Sequence, residues 1–155
     1  MNTFMNNYRD STCVIRNAVE KDYASIQVLL KTVNLPVAGV KEHLQNFIIL
    51  VEDTRLIGTV GLEIFGRKAL LRSLAIAWEF QRRGHGRKLC QAIIDKAREQ
   101  KLTELFLLTE AAESFFASIG FETIARETVD EKVKTSIEFR SVCPESATCM
   151  RLRLV

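Results

Sequence analysis

Two groups of residues in this chain have the types and spacing to do chemistry. The first is the run Gln81-Arg82-Arg83-Gly84-His85-Gly86, followed by Arg87. Glycines let a backbone turn tightly and come close to a ligand. If a helix begins at Gly86, its first unbonded N–H groups and its dipole point at any anion held in front of the loop. Arg82, Arg83 and Arg87 add positive charge at the same place. An ordinary helix start on a solvated basic loop has the same composition, so the run by itself only nominates an anion site.

The second group is Glu63 and Arg72. Each interrupts an apolar strand pattern, Glu63 within Val60-Gly61-Leu62-Glu63-Ile64 and Arg72 within Leu70-Leu71-Arg72-Ser73-Leu74. An unpaired buried charge is costly, so each needs a partner. If Gly66-Arg67 is an even-numbered hairpin loop, Phe65 pairs with Lys68, Glu63 with Leu70 and Gly61 with Arg72, and Glu63 and Arg72 become diagonal neighbours on one face. Such a pair can simply stabilise the sheet. It can also work on a substrate, Arg72 gripping a carboxylate in bidentate fashion and Glu63 receiving an amine's proton directly or through a water.

The remaining reactive side chains suggest less. Cys13, Cys90, Cys143 and Cys149 form no Cys-x-x-Cys pair, and only His43 and His85 could join them, so no metal site is expected and the thiols are read as reduced and mostly buried. His85 lies inside the glycine run, where its backbone matters more than its ring. His43 is read as a helix-surface residue. Trp78 and Phe80 read as packing rather than substrate-channel aromatics, and Thr109 and Ser114 as caps of a late helix.

The elements that must position these groups follow from periodicity. Residues 13–16 read as a strand, after which Tyr23, Ile26, Leu29, Leu30 and Val33 recur at helical spacing, with Asn17 and Glu20 in the form of a capping box and a stop before Asn34-Leu35-Pro36. A short helix leads to an antiparallel meander of strands over 47–51, 56–65 and 69–76, with turns at 53–55 and 66–67. A half-buried helix over 86–100 and the apolar run Leu105-Phe106-Leu107-Leu108 complete a β-α-β crossover. A further helix over 111–119 is stopped by Gly120, and final strands are expected over 121–125 and 150–155. This is one mixed α/β domain spanning 1–155, a twisted central sheet with helices on both faces and a flexible extension over 1–11.

Composition narrows the partners. A net charge of +3, from 22 basic and 19 acidic residues, is too small to announce nucleic acid. The longest apolar run, Phe47-Ile48-Ile49-Leu50-Val51, is too short to span a bilayer, and Asn2-Thr3-Phe4-Met5-Asn6 lacks a signal-peptide pattern, so a cytoplasmic protein is expected, with no membrane partner.

Gln-x-x-Gly-x-Gly after an apolar strand resembles the acyl-CoA pyrophosphate loop of the GNAT N-acetyltransferases. Leu74-Ala75-Ile76 stands where that family's central strand bonds the pantetheine arm, and Phe115-Phe116-Ala117-Ser118-Ile119-Gly120-Phe121 resembles its late helix and following strand. The resemblance runs from about Ile15 to Ile124. It implies acetyl-CoA as co-substrate, held by Leu74, Ala75, Ile76 and residues 81–87. It also implies central strands that splay apart around the thioester, with a backbone N–H near 74–76 facing its oxygen. A homodimer is common among such proteins. Many members carry a Tyr that protonates the leaving thiolate five residues before the aromatic matching Phe121; here that position is Phe116, which has no proton to give.

Several segments resemble one branch, the arsenic-resistance-associated acetyltransferases akin to arsinothricin and phosphinothricin N-acetyltransferases. They are Asn34-Leu35-Pro36, Val60-Gly61-Leu62-Glu63, Leu70-Leu71-Arg72-Ser73-Leu74-Ala75, Leu107-Leu108-Thr109, Glu138-Phe139, Cys143-Pro144 and Ser146-Ala147. That branch implies an amino-acid-like substrate acetylated on its α-amine, with an arsenic- or phosphorus-bearing side chain as one possibility; Arg72, Ser73 and Asn34 are expected to bind the substrate, with Glu63 as the catalytic carboxylate. Three classes of function follow: a small-molecule amine N-acetyltransferase, a non-catalytic acetyl-CoA-binding regulator suggested by Phe116, and a protein N-acetyltransferase.

Overall fold

The computed structural model describes residues 13–142 and 145–154; Cys143 and the N-terminal stretch read as an extension lie outside the described residues. A seven-stranded sheet runs in the order β1-β2-β3-β4-β5-β7-β6, with β1 Cys13–Asn17, β2 Phe47–Glu52, β3 Arg55–Phe65, β4 Lys68–Ile76, β5 Glu104–Thr109, β6 Glu122–Thr123 and β7 Thr148–Arg153. Three helices accompany it: α1 Tyr23–Thr32, α2 His85–Glu99 and α3 Glu113–Ile119. The β1–β4 meander is antiparallel throughout, β4 and β5 are parallel and joined through α2, and β7 is antiparallel to both neighbours.

The meander and crossover match the elements expected from periodicity, because each rests on local alternation or helical spacing. The β3–β4 hairpin has the expected register, with Phe65 opposite Lys68, Glu63 opposite Leu70 and Gly61 opposite Arg72. Period-two alternation then sorts the faces. Gly58 looks toward α2, where an added Cβ would meet Leu89 Cδ1 at 2.8 Å. Glu63, an odd number of positions further, looks the other way, under the loop that carries Gly39. Helix α2 buries Leu89, Cys90, Ile93, Ile94 and Ala97, and α1 buries Ile26, Leu29 and Leu30, which fixes both helices to the sheet. Burying each of these leucines and isoleucines contributes about 1.5–3 kcal/mol, more than a typical surface ion pair does.

Two boundaries differ from expectation. Asn17 does not cap α1; it ends β1, and the entry to the helix is a 3-10 turn, Glu20–Asp22, in which the Asp22 carboxylate accepts from the Val19 N–H at 2.8 Å. Asp22 wins that role because Arg16 also holds it, at 2.9 and 3.0 Å. The strand expected over 121–125 shrinks to Glu122–Thr123, since the next bond, Ile124 N–H to Cys149 O, precedes a 3-10 turn at Arg126–Thr128.

The Arg16 guanidinium and the Val19 N–H hold the Asp22 carboxyl below its ordinary range despite burial. A folded-state pKa lowered in this way contributes stability that is present above the unfolded value, about 3.9, and is lost as pH falls through the folded one. Asp22→Asn is therefore expected to cost about 1 kcal/mol at pH 7, discounted for the partly exposed Arg16, and almost nothing in strong acid. Urea titrations of both proteins at pH 7 and in strong acid check this, and an equal gap at both would contradict it.

Candidate active site

Parallel pairing between β4 and β5 is confined to Lys68, Ala69 and Leu70 against Glu104, Leu105 and Phe106. Beyond that point the two strands separate. A bulge begins where they part: the β3–β4 register shifts between Thr59 and Gly61, and Ser73 takes φ 63°, a left-handed conformation that a serine adopts only at a cost. The extra residue re-aims 74–76 and leaves a cleft of about 730 Å³ between the strands. Its walls include Leu71, Arg72, Ser73 and Leu74 from β4, Leu107, Leu108 and Thr109 from β5, and Asn34, Phe116 and Glu138 from outside the sheet.

At the end of β4 the chain passes through a 3-10 turn, Trp78–Phe80, into the basic glycine run. The Gln81 amide donates to Ile76 O at 2.9 Å, so this side chain ties the loop to the strand. Arg82 has φ 65° and Gly84 φ 82°; two left-handed residues turn the chain into α2, with Gly84 as its N-cap. A side chain at Gly84 would meet nothing within 4 Å, so glycine is there for its backbone. Gly86 differs. Its φ is not left-handed, and an added Cβ would only touch the Phe115 ring at 3.7 Å, an ordinary contact. Neither packing nor backbone needs glycine at 86.

The basic side chains around the loop are braced. Arg83 lies over the Phe80 ring at 5.3 Å, with Arg55 at 5.3 Å from the same ring, while Arg87 lies over Phe115 and donates to Ser118 Oγ at 2.8 Å. His85 is held below its ordinary pKa by burial first and then by Lys88 and Arg83, which makes it neutral at pH 7. Its Nδ1 is shielded without a hydrogen-bond partner among the described residues.

On the opposite face lies a buried charge cluster. Arg72, with a fully buried side chain, donates from Nη1 to Glu63 Oε2 at 2.7 Å, from Nε to Ser73 Oγ at 3.0 Å and from Nη2 to Pro36 O at 3.2 Å. Its Nε also lies 3.2 Å from Glu138 Oε2. Two carboxylates, a hydroxyl and a backbone carbonyl thus already surround this guanidinium. Glu63 is 1% exposed and sits behind Arg72, outside the cleft walls, with His43 Nε2 at 3.6 Å from its other oxygen. His43 is thus turned toward the cluster instead of being a plain surface residue.

Glu138 is the functional candidate that local patterns did not single out. It belongs to a stretch of short turns, Val133–Thr135 and Glu138–Val142, with no apolar period of its own. The stretch is anchored by Val129 and Val133, which pack on Leu70, Phe106 and Cys149 in a second small core. The Glu138 N–H donates to Ser136 Oγ at 3.2 Å, which turns its side chain toward Arg72. The only hint in the sequence was an acid beside an aromatic, Glu138-Phe139, in a segment of the branch resemblance.

Asn34 and Ser73 line the cleft, and Leu74 does so from β4. Phe116 is a buried wall residue, edge-on to Phe115 and Phe121. Thr109 accepts from the Ala112 N–H at 3.0 Å, a turn preceding α3. Burial pushes the Cys90 thiol up to about 12 and raises that of Cys149, so neither is a nucleophile. Among the described residues no His, Cys, Asp and Glu cluster could hold a metal ion, and no helix is long and apolar enough to cross a membrane.

The chain matches the Acetyltransferase (GNAT) domain family over residues 43–123, more than half of its 155 residues. An uncharacterized N-acetyltransferase of Chlorobaculum tepidum is 26% identical over 147 residues, covering 94% of this chain and 89% of that one. An amino-acid acetyltransferase of Neisseria meningitidis is 32% identical over 93 residues, or 59% of this chain, which spans only 21% of that enzyme's length. The N-acetylglutamate synthase of Neisseria gonorrhoeae, solved with coenzyme A and N-acetyl-glutamate, superposes with a TM-score of 0.81 at 26% identity, over 92% of this chain and 35% of its own. A Mycobacterium tuberculosis protein solved with CoA, 22% identical and covered over 99% of its length, bears on the fold alone, with a TM-score of 0.76 over 92% of this chain. On the family match and these relatives, the chain belongs to the GNAT acetyltransferases and is an acetyl-CoA-dependent N-acetyltransferase.

Proposed function

We propose that the enzyme acetylates the α-amine of a small, amino-acid-like acceptor bound in the cleft between β4 and β5. The observation that carries this reading is the cleft itself, about 730 Å³ in volume, into which Asn34, Ser73 and Glu138 project from three separate segments. Such a volume suits one small molecule beside the acyl end of acetyl-CoA. Arg82, Arg83, Arg87 and the N–H groups of α2 hold the pyrophosphate, and the backbone over 74–76 lies along the pantetheine arm. The named activities of the two Neisseria relatives, amino-acid acetyltransferase and N-acetylglutamate synthase, favour an amino-acid acceptor.

Chemistry then needs a free lone pair and alignment. The acceptor ammonium gives one proton, through water, to the carboxylates around Arg72, and its nitrogen forms the new N–C bond as the thioester C–S bond breaks. The second nitrogen proton leaves with the CoA thiolate, and the carboxylate returns its proton to solvent. A thiol with an ordinary pKa of about 8.5 is a fair leaving group, so Phe116 in place of a tyrosine does not stop turnover.

The test is release of CoA thiol from acetyl-CoA with a panel of L-amino acids and of amino-acid-like antimetabolites, including those with phosphinate or arsenical side chains. At least one is expected to be acetylated on its α-amine, with the product identified by mass. The arsinothricin-like branch predicts that an arsenical or phosphinate member is the best. No acceleration by any member would sink the amino-acid reading and leave a peptide amine as the acceptor.

A further inference from the structure

The charged side chains that line the cleft, among the described residues, are Arg72, Glu110 and Glu138, a single cation and two acids. The cation has no surface to offer a ligand. Its side chain is 0% exposed, because the guanidinium is engaged with the strap over residues 33–39 as well as with carboxylates. Nη2 donates to Pro36 O at 3.2 Å, and a Cβ at Gly39 would stand 2.9 Å from Nη1. An ionised carboxylate has no proton to donate, so neither acid can serve as partner to an anionic group. What the strap adds to the cleft wall is largely aliphatic. Val33, Leu35 and Val37 are half-buried there, and Leu74, Leu108 and Ala112 are the half-buried residues that β4, β5 and the turn before α3 contribute. A charged group placed among them would lose its hydration without a partner, whereas each methylene buried there is worth about fourfold in binding.

We infer that the acceptor carries an uncharged, apolar side chain that packs against the strap at Leu35 and Val37, and that acidic acceptors are rejected. This names the substrate class of the site in the amine-acetyltransferase reading, and it rests on that reading for the reaction. It parts from the branch resemblance, whose phosphinate-bearing acceptors are anions. Arg72 then bears on specificity from behind the wall. By holding the Pro36 carbonyl it fixes the strap, and by being covered it leaves an acidic side chain no cation to meet.

The first arm of the test compares kcat/KM for L-alanine, L-norvaline, L-methionine, L-glutamine and L-glutamate at neutral pH. The α-amine and α-carboxylate are common to all five, so the ratios read the side chain alone. Values should climb about fourfold per methylene from alanine to norvaline, and methionine should exceed glutamate by roughly tenfold or more, with glutamine between. Val37→Arg puts a cation on the strap and should shrink the methionine-to-glutamate ratio by about tenfold, while the KM for acetyl-CoA stays within about twofold. Val37→Thr keeps the shape of the side chain and should shrink the ratio by a few-fold, which decides the matter should arginine disturb the fold. The second arm needs no turnover: N-acetyl-L-methionine and N-acetyl-L-glutamate are titrated into the CoA-loaded protein and followed by NMR. Wild type should bind the methionine derivative more tightly, and the Val37 variants should narrow the gap. The inference is overturned if glutamate or its N-acetyl derivative is preferred, if neither probe gives a saturable shift, or if both variants keep the wild-type ratios. A panel without any acceptor would remove the functional reading, while the second arm would still decide the side-chain class.

Discussion

Arg72→Met is expected to destabilise the protein by about 3–5 kcal/mol, far more than the loss of a surface ion pair would. The magnitude comes from what is left behind, not from the bond removed. With the guanidinium gone, Glu63 and Glu138 remain two carboxylates at 1% and 4% exposure with their common cation missing. In a domain of this size each kcal/mol shifts the midpoint by about 2–4 °C, so thermal unfolding should begin roughly 10 °C lower or more. Arg72→Lys should fall in between, because one ammonium keeps the charge but cannot span both carboxylates and the Pro36 carbonyl. The double variant Arg72→Met with Glu138→Gln should recover part of the loss by removing one stranded charge. A midpoint for Arg72→Met within a degree or two of wild type would mean that the cluster is not held together by this charge.

The second large effect is on the co-substrate. Gly86→Val should leave the fold near wild type, since an added Cβ makes only the 3.7 Å contact with Phe115 and valine in a first helical turn costs a fraction of a kcal/mol. Its methyl groups occupy the space in front of the α2 N–H groups. Losing one charge-assisted hydrogen bond costs about 1.5–3 kcal/mol, so the dissociation constant for CoA should rise roughly ten- to hundredfold. Gly84→Ala should behave differently: space is free there, but φ 82° strains an alanine by about 1–2 kcal/mol, which appears as lost stability and a disturbed loop together. Calorimetric titration of CoA into both variants separates the two cases. Unchanged CoA affinity in Gly86→Val would show that the anion does not lie where the loop points.

These two sites differ in how plainly the chain announces them. The glycine loop is written in consecutive residues, and Gly84 and Gly86 are read from local rules about backbone and helix ends. The Glu63–Arg72 pair is also legible, because the two-residue turn Gly66-Arg67 sets the register of everything on either side of it. Glu138 is not. Its contact with Arg72 joins positions far apart in the chain through a segment without periodicity, held by Val129 and Val133 against a core that exists only after β4, β5 and β7 have met. His43 escapes for the same reason, its partner Glu63 being reached only across the packed face of the sheet. At Asp22 the failure is local: Asn17 and Glu20 have the spacing of a cap, but Arg16 makes Asp22 the better acceptor. Strand β6 is shorter than expected because an apolar stretch beginning at Phe121 reads as strand until the turn at Arg126–Thr128 ends it.

The place of β7 between β5 and β6 has a consequence for how the chain is made. Strands β1 to β4 close on one another in the order in which they leave the ribosome, and β5 can dock on β4 as soon as α2 has formed. The other edge of β5, Leu105-Phe106-Leu107-Leu108, then waits until residue 153 has been synthesised. During that interval a nascent chain presents an unpaired apolar strand edge, the kind of surface that pairs with neighbours on crowded polysomes. Slow translation through codons 110–150, or truncation within them, should therefore send the polypeptide to chaperones or inclusion bodies, although every residue of the glycine loop has already been made.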